Sequence, residues 1–64
     1  MGRVYTARQV VKMLRKAGFH PDHQTGSHLV MLHPNGRRAV VPMHVGDMKK
    51  GTAKAILKSA GLWD

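Results

Sequence analysis

The chain carries 64 residues, 11 of them Lys or Arg against three acids, for a formal charge of +8 and no cysteine. A chain this short buries only about 60% of its unfolded surface, and without Cys it has no disulfide, thiolate metal site or thiol nucleophile. Its aspartates, Asp22, Asp47 and Asp64, are too scattered for a two-metal nuclease or a glycosidase, which need clustered or facing carboxylates.

The stretch "TARQVVKMLRKAG" predicts a helix. Ala7, Val10, Val11, Leu14 and Ala17 fall on one face at helical spacing. Thr6 is its N-cap and Gly18 the residue that closes its last turn. Arg8, Lys12, Arg15 and Lys16 take the other side, and Phe19 follows as an anchor into the core. Next comes "FHPDHQTGS", where Pro21 has no N–H to donate, so any strand is short or lies at a sheet edge. His20 and His23, which flank Pro21, read as solvent-facing.

"HLVMLH" predicts a buried strand, "PNG" a turn, and "RRAVVP" the returning strand. The turn sets a register in which His33 faces Arg37, Val30 faces Val40, and His28 lies near Pro42. Neither strand alternates cleanly, which predicts partial cover on both faces and leaves one face for a second copy of the chain or another partner. "MHVGDMKK" reads as a loop with a basic end. "GTAKAILKSAGL" is a second helix with Thr52 as N-cap, an apolar stripe of Ala53, Ile56, Leu57 and Ala60, and Gly61 as its stop.

The predicted order is α-β-β-β-α, a single α+β domain over residues 1–64 with two helices on one face of a three-stranded antiparallel sheet. No apolar run approaches the roughly 18 residues of a membrane span, and "MGRVYTARQVV" lacks the apolar segment of a signal peptide. The expectation is a soluble cytoplasmic protein.

The charge points to a polyanion, nucleic acid above all, held through counterion release, or else to an acidic protein. Arg37 and Arg38 beyond the turn, Lys49 and Lys50 before the second helix, and Lys54 within it form a basic rim suited to A-form RNA read by its shape and backbone. Backbone N–H groups at Gly51 and Thr52 are placed to receive a phosphate. The aromatics are Tyr5, Phe19 and Trp63, none of them on a predicted strand, so a base-stacking platform is not expected.

With few carboxylates, catalysis falls to histidine, whose unperturbed pKa of about 6.5 suits proton transfer. The spacings of His20, His23, His28 and His33 are loose for zinc and lack carboxylate support; neither a metal nor a cofactor is expected. Gly26 permits a tight turn that presents His28 where the strand begins. From pattern alone His28 is either a strand-end histidine bonded to a neighbour, the commoner role, or a proton-transfer group. Ser27 either caps the turn or binds a phosphate. His44, after Pro42 and so near His28, is the candidate second proton-transfer group; His33 lies at the far end of the hairpin.

Four stretches in order, "GSH" before a strand, "HPNGRR", "VPMH" and "KKGTAKAILKSAGL", resemble the HicA family of bacterial toxins from about Thr6 to Leu62. That resemblance implies a fold like a double-stranded-RNA-binding domain, an mRNA interferase activity, and neutralisation by a cognate HicB-type antitoxin. It also implies that His28 is the catalytic histidine, with Gly26 and Ser27 as the matching motif positions. Where family members commonly carry basic residues before the glycine, this chain has "HQT". The expected function is a toxin that cleaves mRNA without metal, with a non-catalytic RNA-binding module or a basic partner-docking protein as alternatives.

Overall fold

The computed structural model describes residues 4–43 and 47–63. In chain order these form β1 (Val4–Thr6), α1 (Ala7–Lys16), β2 (His20–Thr25), β3 (His28–Leu32), β4 (Arg38–Pro42), β5 (Asp47–Lys49) and α2 (Lys50–Ser59). Strands β2, β3 and β4 make an antiparallel sheet in that order, and β1 pairs with β5 in a separate antiparallel ladder. The α+β expectation holds: two helices lie against one face of a three-stranded antiparallel sheet.

Helix α1 begins where its sequence says it should. Thr6 is the N-cap, and a reciprocal capping box joins it to Gln9: the Gln9 N–H donates to Thr6 Oγ1 at 3.1 Å and the Thr6 N–H to Gln9 Oε1 at 2.9 Å. It ends in a Schellman arrangement. The Phe19 N–H reaches Leu14 O at 3.0 Å and the Gly18 N–H reaches Arg15 O at 3.0 Å. That closure requires the positive φ of Gly18, 102°.

Ala7, Val10 and Leu14 of α1, Ala53, Leu57 and Ala60 from α2 and its C-cap, and Met31, Ala39 and Val41 of the sheet share one core with Phe19 and Met48. Alternation on β4 is clean, with Ala39 and Val41 facing the helices and Arg38 and Val40 facing away. Central strand β3 buries one residue on each face: Met31 lies fully buried beneath the helices, while Val30, on the otherwise open face between His23 and Val40, is 8% exposed.

The register predicted from the turn is present. Val30 pairs with Val40 and His28 with Pro42. The Gly36 N–H donates to His33 O at 2.9 Å, the His33 N–H to Arg37 O at 2.9 Å, and Gly36 takes φ 93°. This is a three-residue hairpin, a turn closed by a left-handed glycine. Strand β2 lies at the edge, as Pro21 required, and every one of its residues is exposed.

The second helix departs from expectation. The segment ending in "DMKK" was expected to be loop, with Thr52 capping the helix. Instead Asp47–Lys49 form β5 opposite β1, and Lys49 is the N-cap, so α2 starts two residues before the predicted cap. The physical reason is Met48, which pairs with Tyr5 and buries its side chain to 2% exposure while Asp47 and Lys49 face solvent. Thr52 is an exposed residue of the first turn.

Candidate active site

Gly26 and Ser27 form the two-residue connection between β2 and β3, with Thr25 and His28 paired across it. Gly26 takes φ 59° and no other residue type in the described chain has positive φ, the pattern of a II′ hairpin with Gly at its first position. No heavy atom beyond the adjoining residues lies within 4 Å of where a Gly26 Cβ would be. Conformation, not space, therefore selects glycine here.

The turn is braced from both flanking strands. Gln24 Nε2 donates to Gly26 O at 3.0 Å, and the Met43 backbone N–H donates to Ser27 O. That second bond extends the ladder past Pro42, which has no N–H of its own. His28 is the first residue of β3, exposed, on the sheet face turned away from the helices.

Two side chains fix how the helices run relative to this turn. His33 Nε2 donates to Ala17 O, the C-cap carbonyl of α1, at 3.1 Å, and its Nδ1 accepts from the Asn35 N–H at 3.0 Å. Arg37 Nη1 reaches Ser59 O, in the last turn of α2, at 3.5 Å. Both helix C-termini therefore lie at the His33–Arg37 hairpin. A ten-residue helix spans about 15 Å, close to the roughly 13 Å covered by the five residues of β3. The chain connections place the other ends. Strand β4 finishes at Pro42, opposite His28, a few residues before β5 leads into α2. In turn β5 pairs with β1, which leads into α1, so both N-termini lie towards the end of His28. Each carries about half a positive charge, and neither first turn contains an acid.

The basic residues add to that polarity. Lys49, Lys50 and Lys54 are exposed around the start of α2, which has no side-chain cap. Cations at a helix N-terminus oppose the dipole by about 0.3–1 kcal/mol each, a cost that a bound anion would offset. Along α1, Arg8, Lys12, Arg15 and Lys16 line an open groove of about 590 Å³ with Val11 and Met43. Lys12 stands four residues from both Arg8 and Lys16, spacings that each destabilise a helix by about 0.2–0.5 kcal/mol. Because Met43 also bonds to Ser27, the groove borders the turn that carries His28. Sequence reasoning placed the α1 cations on the outer face but did not list them as binding residues; their unbroken like-charge spacing was the available signal.

The other candidates divide. Gly26 and Ser27 build the turn at His28, Ser27 being half-buried. Arg38 shares the open sheet face with His28, but it pairs with Leu32, at the other end of β3. Arg37 is folded against α2, close enough that a Cβ on Gly61 would lie 3.0 Å from its guanidinium carbon. His44 lies outside the described residues. Among the described residues no three of His, Asp or Glu converge to hold a metal ion, and no helix is long and apolar enough to cross a membrane.

A family model, the HicA toxin of bacterial toxin–antitoxin systems, matches residues 7–62. This chain belongs to the HicA toxin family. The match spans both helices and the sheet between them, and it includes the Gly-Ser-His turn. A HicA toxin belongs to a toxin–antitoxin pair, so a cognate antitoxin is its partner. No match was found among curated proteins.

Proposed function

We propose that this HicA toxin is an endoribonuclease that cleaves mRNA without a metal, with His28 as the catalytic histidine. The observation that carries the reading is the polarity of the molecule. An exposed histidine begins the central strand at the end towards which both helix N-termini lie, bordered by cations that have no ion-pair partner among the described residues. Such a site attracts a phosphodiester and stabilises the negative charge that grows on it during transfer.

In this mechanism the RNA supplies its own nucleophile. The 2′-hydroxyl attacks the adjacent phosphorus while His28 takes its proton. The P–O5′ bond breaks as the departing oxygen takes up a proton, leaving a 2′,3′-cyclic phosphate and a 5′-hydroxyl. Positioned proton transfer of this kind contributes about 10²- to 10⁴-fold. The cations of α1 and of the α2 N-terminus hold the backbone on either side, with Gly26 letting it approach the turn. A HicB-type antitoxin with an acidic surface would silence the toxin by covering this end.

The test is incubation of the purified protein with mRNA in excess EDTA, beside His28→Ala, with fragment ends analysed. Cyclic phosphate ends are expected, with cleavage by the variant down about 10²- to 10⁴-fold and its RNA affinity nearly unchanged. Equal cleavage by His28→Ala would remove His28 from the mechanism. Salt-sensitive RNA binding without cleavage by either protein would instead make this a binding module.

A further inference from the structure

The open face of the sheet carries a second histidine beside His28. The register pairs Thr25 with His28 and His23 with Val30, so His23 and His28 lie on the same face as diagonal neighbours on adjacent strands. Diagonal pairs have backbone positions about 7–8 Å apart, within reach of long side chains. Two imidazoles rising from such positions can approach one phosphodiester from different sides.

His23 owes its place to an irregularity. Pro21 pairs with Met31 and His23 with Val30, leaving Asp22 as the extra residue of a bulge. Without it, alternation would put Asp22 opposite Val30 and turn His23 towards the helices. Bulges of this kind re-aim side chains. Here the extra residue is also the partner of the one re-aimed: Asp22 Oδ2 lies 2.7 Å from His23 Nδ1.

That contact adds little to the fold. Both side chains are about half exposed, 45% for Asp22 and 56% for His23, and exposed ion pairs stabilise a fold only weakly. Its effect is on the ring. A carboxylate accepting from Nδ1–H fixes the orientation of the imidazole and leaves Nε2 to work on a substrate.

We propose that His23 is the second catalytic histidine, oriented by Asp22, which acts as a positioning residue. This rests on the ribonuclease reading above. As His28 removes the 2′-hydroxyl proton and the P–O5′ bond breaks, protonated His23 donates its Nε2 proton to the departing O5′. The 5′-product leaves as a neutral hydroxyl. Proton exchange with water then restores both rings.

The experiment is single-turnover cleavage with saturating protein on two RNAs, one natural and one with a bridging 5′-sulfur at the cleaved bond. A thiolate leaves without needing a proton, so the loss of a general acid is forgiven on the second RNA and the loss of a base is not. His23→Ala is expected to cut the rate about 10²- to 10³-fold on natural RNA and to match wild type on the sulfur substrate. Asp22→Asn should show a smaller loss with the same rescue, and His28→Ala should be impaired on both. Normal cleavage of natural RNA by His23→Ala overturns the proposal, as does equal impairment on both substrates. Rescue of His28→Ala in place of His23→Ala overturns the assignment of roles. Wild-type protein that cleaves neither RNA overturns the ribonuclease reading itself, and this proposal with it. His23→Ala and Asp22→Asn lie on the exposed edge strand and His28→Ala at the exposed start of β3, and far-ultraviolet circular dichroism verifies that each of the three variants is folded.

Discussion

His33→Ala separates a histidine that holds the fold from the two proposed to move protons. The ring makes two hydrogen bonds, to Ala17 O and from the Asn35 N–H. It also meets Phe19 edge-on, with centroids 5.0 Å apart and planes inclined at 62°. Net contributions of about 0.5–1.5 kcal/mol for each hydrogen bond and about 0.5–1.5 kcal/mol for the aromatic pair sum to roughly 1.5–4.5 kcal/mol. Partial exposure of the ring favours the lower half of that range, so a loss of about 1.5–3 kcal/mol is expected. At about 0.05–0.15 kcal/mol per residue, a domain of this size is stable by roughly 3–10 kcal/mol, and that loss is a large share of it.

Urea denaturation followed by circular dichroism at the helix band measures the change. A second variant ties it to geometry. An ideal Cβ on Gly18 would lie 2.8 Å from His33 Nε2, at a φ of 102°. Gly18→Ala therefore combines backbone strain with a clash, and in a His33→Ala background only the strain remains. The double variant should lose less than the sum of the single losses, by about 0.5 kcal/mol or more. Strict additivity, or a His33→Ala loss below about 0.5 kcal/mol, would refute the clasp between the hairpin and α1. Cleavage per folded molecule should be unaffected by His33→Ala, in contrast to His28→Ala.

Replacing Lys12 and Arg15 together by Gln should weaken RNA binding and flatten its log–log salt dependence by about 0.7 per lost phosphate contact on single strands. Thermal unfolding should show stability held or raised, because like-charge neighbours on α1 are removed. Arg37→Ala should lower stability by about 0.5–1 kcal/mol in chemical denaturation, since its guanidinium lies against the C-terminal turn of α2. Arg38→Ala, on the open sheet face, should change stability by less than about 0.5 kcal/mol.

What was legible in the sequence was what local chemistry decides. Thr6, Gly18 and the apolar stripe define α1 almost to the residue, and "PNG" sets the pairing of β3 with β4 because a three-residue hairpin admits one register. The β1–β5 ladder was hidden. Three residues are too few for alternation to register, Met48 is the one apolar residue between two charges, and its partner strand lies about forty residues away in the chain. With the ladder unseen, Thr52 was the natural cap and the true start of α2 was missed.

At the site, the Gly-Ser-His turn and the position of His28 opposite Pro42 could be read directly, because both follow from turn geometry. His23 could be read as exposed, and it is. Its face could not be read, because one extra residue in β2 reverses the side on which every later side chain emerges. Arg37 and Arg38 look equivalent in sequence; alternation sends Arg38 to the open face, while Arg37, inside the hairpin, folds back onto α2.

The β1–β5 ladder also bears on when this protein becomes itself. Thr6 must wait for Asp47 before it can pair, and closing a loop of that length costs entropy before any contact rewards it. During synthesis α1 can form early, but the ladder that sets the two helix starts side by side cannot exist until residue 49 has been made. A chain interrupted before that point carries the Gly-Ser-His turn without the paired helix ends. The order of synthesis thus withholds the pairing of the two helix starts until residue 49 has been made.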